Sequence, residues 1–548
     1  MPTIAELLRG HAGDERTAMV FEEETWSYAA TVQACADRAA WLAAHRGPGP
    51  FHVGVLLDNV PEFTFWLGAA ALAGAAVVGI NPTRRGAELA RDITHTDCQF
   101  LVTESVHRPL LAGLDLGISP ERHFTVDEAA GPLDGYAGAP LPSTRPDPAA
   151  PFLLLFTSGT TGAPKAVICS QARLAYISAR VVELFDLGPD DVFYLAMPMF
   201  HSNALMAGWG PALAAGATMA LRRRFSASGF LPDVRRYGVT YFNYVGKPLA
   251  FILATPQQPN DADNPLRRVF GNEAAEPDIA RFAERFGCTV TDNYGSTEGG
   301  VSVIRMPGMP AGALGMGPPG TMVLNAETGK ECPAARFDEA GRLLNADEAI
   351  GELVNTGGGA GFEGYWRNDE ANSARVRDGV YWTGDLAYRD EAGWVYFAGR
   401  DFDWLRVDGE NFAAAPIERI LARSPAVQQA AVYAVPDVVT GDQVMAAVVL
   451  QSGHEFDPDG FAEFLAAQTD LGTKWAPRFV RINAALPVTA SNKVRRRELR
   501  EEAWETTDPV WWRPGREPAY RRLTDTDRKE LRATLEARGR GLLLGVHP

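Results

Sequence analysis

Short apolar runs alternate with amphipathic stretches through the first half of the chain. Val53 to Leu57, Phe100 to Val102, Phe152 to Phe156 and Val192 to Ala196 are too short for buried helices, and turn residues bound them, so they predict buried strands. Between them, Gly86 to Thr94 and Ala172 to Leu184 place apolar residues at helical spacing. Strands alternating with helices predict parallel α/β layers. Phe63 to Ile80 carries no charge and reaches membrane-spanning length. It starts behind Asn59-Val60-Pro61-Glu62 in the manner of a helix N-terminus and ends in Ala75-Ala76-Val77-Val78-Gly79-Ile80, so it predicts a helix followed by a buried strand. Residues 137–151 are rich in Pro, Gly and Ala and predict a surface connection within a large domain. Past Arg400 the pattern becomes that of a compact α+β unit, with a helix over Pro416 to Arg423 and strands at Ala430 to Ala434 and Val444 to Leu450. Beyond about Glu502 come Trp504, Trp511, Trp512 and Tyr520, then a charged helical pattern from Asp525 to Arg540. A tail so rich in aromatics is expected to pack onto the body.

Composition narrows the class. With 548 residues and 46% hydrophobic content the chain can bury several cores. Its formal charge of −16 speaks against nucleic acid as a partner, because a phosphate backbone would be repelled. Arg222 to Arg224 and Arg495 to Arg497 are local basic clusters, read either as solvated faces or, for the second, as a place to meet anionic groups. Five scattered cysteines, without CxxC spacing, give neither a disulfide frame nor a zinc site. The N-terminus has no basic and apolar leader pattern, so the cytoplasm is the expected compartment, with peripheral membrane contact left open.

The chemistry concentrates in one loop. Thr157-Ser158-Gly159-Thr160-Thr161-Gly162-Ala163-Pro164-Lys165 follows the predicted strand Phe152 to Phe156. Small hydroxyl residues and two glycines let backbone N–H groups approach triphosphate oxygens, and Lys165 adds a mobile positive charge. The spacing is not that of a Walker A loop, since Ala163-Pro164 separate the glycine from the lysine. A flexible surface loop is the competing reading.

Downstream stand Asp292-Asn293-Tyr294-Gly295-Ser296-Thr297-Glu298-Gly299, Tyr381-Trp382-Thr383-Gly384-Asp385-Leu386, Gly399-Arg400 and Pro487-Val488-Thr489-Ala490-Ser491-Asn492-Lys493. In order and type these motifs, from about residue 15 to 505, resemble the adenylate-forming superfamily of acyl-CoA synthetases, luciferases and adenylation domains. Tyr396-Phe397-Ala398-Gly399-Arg400, Gly409-Glu410-Asn411 and Asp508-Pro509-Val510-Trp511-Trp512 look most like its very-long-chain acyl-CoA synthetase and fatty-acid transport protein branch.

The resemblance implies a large N-terminal domain of layered α/β subdomains over 1–400, a hinge at 401–404, a smaller mobile C-terminal α+β domain over 405–505, and a tail over 506–548. It implies ATP, Mg2+ and coenzyme A as cofactors and a small-molecule carboxylic acid as substrate, with a homodimer left open. Thr157, Ser158, Gly159, Thr160, Thr161, Gly162 and Lys165 would meet the phosphates. Gly271, Asn272, Glu273, Asn293, Tyr294, Gly295, Ser296 and Thr297 would line the adenine and its surroundings, the Asn-Glu after Gly271 being unusual. Glu298 would be the metal ligand, since Mg2+ takes one or two protein oxygens and keeps several waters. Asp385 and Arg400 would share the ribose, a carboxylate being able to accept from two hydroxyls. Lys493 would be the catalytic lysine of adenylation, with Asn492 where the family usually has glycine. His201 would gate the acyl site against the coenzyme A channel, the alternative being a satisfied core histidine. Tyr244, Gly246 and Phe251 would shape an apolar acyl pocket, which a charge from Arg173, Arg180 or Lys247 would overturn. Arg406 and Gly409 would serve coenzyme A, and the hinge would fall on Asp401, Phe402 or Asp403. The expected activity is an ATP-dependent acyl-CoA synthetase for a long-chain, very-long-chain or steroid side-chain acid. An acyl-AMP ligase feeding a carrier protein and a non-catalytic lipid-binding protein are the alternatives.

Overall fold

A computed structural model describes residues 2–128, 133–143, 145–157, 165–274, 276–306, 308–338, 343–359, 361–400, 404–407, 410–437, 441–468, 471, 475–488, 494–515 and 519–537. The chain packs into two compact units, one of residues 1–305 with 359–377 and one of 306–358 with 378–548.

Among the described residues the first unit holds two sheets. In one, His123–Thr125, Cys98–Thr103, His52–Leu56, Ala76–Gly79 and Pro151–Thr157 lie parallel in that order, and Lys165–Ser170 closes the edge antiparallel. In the other, Thr289–Gly295, Arg268–Asn272, Tyr241–Val245, Val192–Leu195, Thr218–Leu221 and Thr17–Phe21 run parallel. Antiparallel edge strands, Ser302–Ile304 and Glu24–Ser27, flank that second sheet. Strands buried on both faces explain the unbroken apolar runs in the sequence. The uncharged run from Phe63 to Ile80 lies in a helix, Pro61–Ala73, that ends at Gly74 with φ 72°, and in the buried strand Ala76–Gly79 that follows. Proline at the first helical turn and a left-handed glycine after the last are the physical reasons for those ends. Among the described residues no helix is long and apolar enough to cross a membrane.

The second unit is mixed. Thr321–Leu324, Gly351–Asn355, Val380–Arg389 and Val395–Arg400 form an antiparallel sheet. Val427–Asp437, Gly441–Leu450, Phe479–Ile482 and Val510–Trp512 belong to another, and the helix Ala414–Leu421 adds its buried Ala414, Ile417 and Leu421 to the core on one side of it. The aromatic end of the chain is built into this sheet. Val510–Trp512 pairs with Phe479–Ile482, Trp512 stacks on Phe479 with ring centroids 5.8 Å apart, and Trp504 is fully buried. Burying a side chain of that size contributes about 1.5–3 kcal/mol.

Candidate active site

In the first unit the C-terminal ends of three parallel strands converge, the place where open α/β sheets bind ligands. Register sets Tyr244, Gly271 and Asp292 side by side across Tyr241–Val245, Arg268–Asn272 and Thr289–Gly295. The Tyr244 hydroxyl donates to Asp292 Oδ2 at 2.6 Å, and the Ala274 N–H donates to the same oxygen at 3.1 Å. Asn272 Nδ2 donates to the carbonyl and to Oδ1 of Asn293, at 3.0 and 2.8 Å. The unusual Asn-Glu pair therefore has a local reason, for Asn272 ties neighbouring strand ends together and Glu273 turns the chain with φ 69°. Gly246, at φ 76°, donates its N–H to the Asn272 carbonyl at 2.9 Å, so the turn that opens the expected acyl wall is locked to the expected adenine wall. Phe251, 37% exposed on the helix Pro248–Leu253, is presented beyond it.

Burial pushes the Asp292 carboxyl up to about 6, while the Tyr244 hydrogen bond pulls it back. The folded chain thus keeps a proton that the unfolded chain gives up near 3.8, and stability linked to this group falls as pH rises from about 4 to about 6. Tyr244→Phe removes the donor, so it is expected to cost about 1–3 kcal/mol at neutral pH and to extend that fall to higher pH. Melting temperatures measured from pH 4 to 8 check this, and coincident curves for the variant and the parent would contradict it.

Thr157 ends one strand and Lys165 begins the next, paired antiparallel, so the phosphate-type loop joins the edge strand to its inner neighbour. Ser158, Gly159, Thr160, Thr161 and Gly162 lie outside the described residues. Against the Lys165–Ser170 edge returns the 359–377 segment: the Ile168 N–H donates to Gly364 O, Tyr365 bridges Val167, and the Trp366 N–H donates to Ala166 O. Burial lowers the Lys165 pKa, the nearby Arg375 lowers it further, and Glu298 acts in the opposite direction.

Glu298 is 6% exposed. Its Oε1 accepts from the Tyr365 hydroxyl at 2.9 Å, and among the described residues no hydrogen bond reaches its Oε2. A buried carboxylate with one oxygen held and the other open is a hard donor of the kind Mg2+ takes, so the residues present fit that ion. The loop before Glu298 is fastened on two sides. Ser202 and Thr297 share a hydroxyl hydrogen bond of 2.7 Å, which sets His201, its ring 4.7 Å from that of Phe200, on the segment joined to this loop. Arg173 donates to the carbonyls of Ile168 at 3.0 Å and Thr297 at 2.6 Å. A side chain at Gly299, where φ is 76°, would come within 2.4 Å of the Arg173 guanidinium. Of the cations that would overturn an apolar acyl pocket, Arg173 is therefore engaged with backbone, and Arg180 forms a surface ion pair with Glu183. Lys247 acts electrostatically on the half-buried Asp278.

In the second unit, Asp385 and Arg400 stand directly opposite each other on antiparallel strands. Asp385 is 8% exposed, and its N–H donates to Thr383 Oγ1 at 3.0 Å, while the Gly384 N–H donates to Glu352 Oε1 at 2.6 Å. The Arg400 and Arg406 side chains, with Asp401, Phe402, Asp403, Gly409 and Lys493, lie outside the described residues. Tyr365, Arg375 and Glu352 went unnoticed in the sequence, where only the Gly-Tyr-Trp triplet and a charged helix hinted at them.

Two largely parallel sheets, one leading into a small-residue loop and the other into an aromatic motif and a buried carboxylate, define a nucleotide-dependent enzyme. The profile described as AMP-binding enzyme matches residues 9–366, and that described as AMP-binding enzyme C-terminal domain matches 416–493. The chain is 52% identical to a steroid-22-oyl-CoA synthetase of Rhodococcus jostii over 99% of both chains. It is 49% identical to the medium/long-chain-fatty-acid–CoA ligase FadD17 of Mycobacterium marinum, over 93% of this chain and 98% of that one. The crystal structure of ATP-bound MatB from Rhodopseudomonas palustris superposes with a TM-score of 0.79 at 26% identity, covering 91% of this chain and 98% of that one. The chain belongs to the AMP-binding family of adenylate-forming enzymes and is an ATP-dependent acyl-CoA synthetase of that superfamily, with ATP, Mg2+ and coenzyme A as its cofactors.

Proposed function

We propose that the enzyme activates a steroid side-chain carboxylic acid, with long-chain fatty acids as secondary substrates, and releases the coenzyme A thioester. The observation that carries the substrate class is the 52% identity with the steroid-22-oyl-CoA synthetase along essentially the whole of both chains. The expected pocket wall agrees with it, because Arg173 and Arg180 are held by protein partners, so neither supplies a counter-charge for a polar acid. A rigid apolar ring system then gains binding from burial alone.

The substrate carboxylate attacks the α-phosphorus, the bond to pyrophosphate breaks, and the coenzyme A sulfur then displaces AMP from the acyl carbon. Lys493 sets a flexible positive charge against the α-phosphate during the first step. Thr157 and Lys165 with the loop between them hold the outer phosphates, and Glu298 is the protein ligand of the divalent ion, which neutralises triphosphate charge when bound. Tyr294 offers a face to adenine beside Gly271, Asn272, Glu273, Asn293, Gly295 and Ser296, while Asp385 and Arg400 grip the ribose. His201 separates the acyl site from the thiol, Arg406 and Gly409 border the pantetheine path, and the backbone at Asp401 to Asp403 carries the rotation between half-reactions. The cytoplasm, where ATP and coenzyme A are abundant, is the compartment that suits this reaction. Comparing kcat/KM for a steroid side-chain acid, palmitate, octanoate and acetate tests the substrate class. The steroid acid is expected to lead, and a preference for acetate would overturn the reading.

A further inference from the structure

Three charged groups of the first unit meet at one tyrosine. The Tyr365 hydroxyl lies 2.9 Å from Glu298 Oε1 and receives the Arg375 Nε–H at 3.0 Å, while Lys165 Nζ stands 5.9 Å from the centre of its ring. A phenol has a single proton to give. With Arg375 donating into the oxygen lone pair, that proton is left for Glu298, so the arginine fixes the direction in which the hydroxyl donates. A phenol is protonated at working pH, so the donor is in place. The tyrosine itself is fixed in place: it is 2% exposed, its N–H donates to Asn372 Oδ1 at 2.7 Å, and it bridges Val167 on the strand that Lys165 begins.

We propose that Tyr365 is the positioning residue for the Glu298 carboxylate, that Arg375 orients Tyr365, and that the shared ring couples the phosphate-loop lysine to the metal ligand. Anchoring Oε1 leaves Oε2 as the oxygen presented to a divalent cation, and a carboxylate held in one rotamer loses less entropy when it binds. The ring gives Lys165 a face to rest on. This inference rests on the reading of Glu298 as the cation ligand, so the experiment separates the two.

Free Mn2+ is measured by electron paramagnetic resonance in titrations of the full-length enzyme with ATP present, a readout independent of turnover. Tyr365→Phe keeps the ring beneath Lys165 and removes only the donor. It is expected to weaken Mn2+ binding roughly tenfold, the low end for loss of a partner to a metal ligand, with metal-free ATP binding unchanged. Arg375→Met is expected to weaken it in the same direction but less. Adding Tyr365→Phe to Glu298→Gln should produce no further loss, because the tyrosine acts through the carboxylate. If Glu298→Gln leaves Mn2+ affinity intact, the ligand assignment fails. If Glu298→Gln weakens binding while Tyr365→Phe does not, the ligand stands and the positioning role is overturned. Additive losses, or a Tyr365→Phe variant that loses metal-free ATP binding to the same extent, would also overturn it by showing a general structural effect.

Discussion

Replacing Lys493 by alanine is expected to lower pyrophosphate release by about two to three orders of magnitude, the usual effect of deleting one preorganised charge from a phosphoryl-type transition state. Thioester formation from supplied acyl-adenylate should be nearly unchanged. The reason is chemical. In the first half-reaction two anions, a carboxylate and an α-phosphate, are pressed together, and a mobile ammonium offsets their repulsion. In the second, a sulfur attacks an already activated carbonyl and AMP departs, so that ammonium has no comparable charge to meet. Rapid-quench measurement of each half-reaction on the same preparation distinguishes the outcomes. Equal loss in both would remove Lys493 from the adenylation step and mark it as a structural or binding residue.

Gly271→Ala is expected to be the most damaging single-methyl change in the first unit. A Cβ at this position would stand 2.3 Å from the Tyr244 carbonyl oxygen and 2.6 Å from its ring, with the neighbouring strand in parallel register. Neither the carbonyl nor the fully buried ring can withdraw, so the strands must separate at the end where Asn272 and Asn293 are tied. Overpacking of this kind costs about 1–3 kcal/mol and sometimes more. It should also weaken ATP binding, because the displaced backbone forms the proposed adenine wall. Gly10→Ala is the matched control: nothing lies within 4 Å of a Cβ there, and its stability should be unaffected. Melting temperature and ATP affinity are the measurements, and a Gly271→Ala protein indistinguishable from its parent on both would contradict the packing argument.

Much of the fold was legible in the sequence because its signals are local. The apolar runs at Val53, Phe100, Phe152 and Val192 all became strands, and the uncharged stretch from Phe63 to Ile80 divided into a helix and a strand at Gly74, where a left-handed turn was needed. Long-range order was not legible. Nothing near Thr17 announces that Thr17–Phe21 lies parallel to Thr218–Leu221, since the pairing is decided by which faces must be covered once the sheet assembles. The site shows the same division. Glycine loops and motif spacing marked Lys165 and Glu298, whereas Tyr365 and Arg375 reach them only because the 359–377 segment folds back along the Lys165–Ser170 edge. Arg173 went the other way. In the sequence it was a possible pocket cation, and the fold makes it a clamp on the Thr297 carbonyl, an outcome that depends on a loop far along the chain.

The central claim is that this chain joins an apolar, ring-bearing carboxylic acid to coenzyme A through an adenylate. Pyrophosphate release by the purified enzyme with ATP, Mg2+ and a steroid side-chain acid, measured with and without coenzyme A, tests it most directly. The account predicts many turnovers when coenzyme A is present, each yielding one acyl-CoA and one AMP, and about one equivalent of pyrophosphate per enzyme when it is absent. Release that stays near one equivalent even with coenzyme A would contradict the account and identify an enzyme that passes its adenylate to another acceptor.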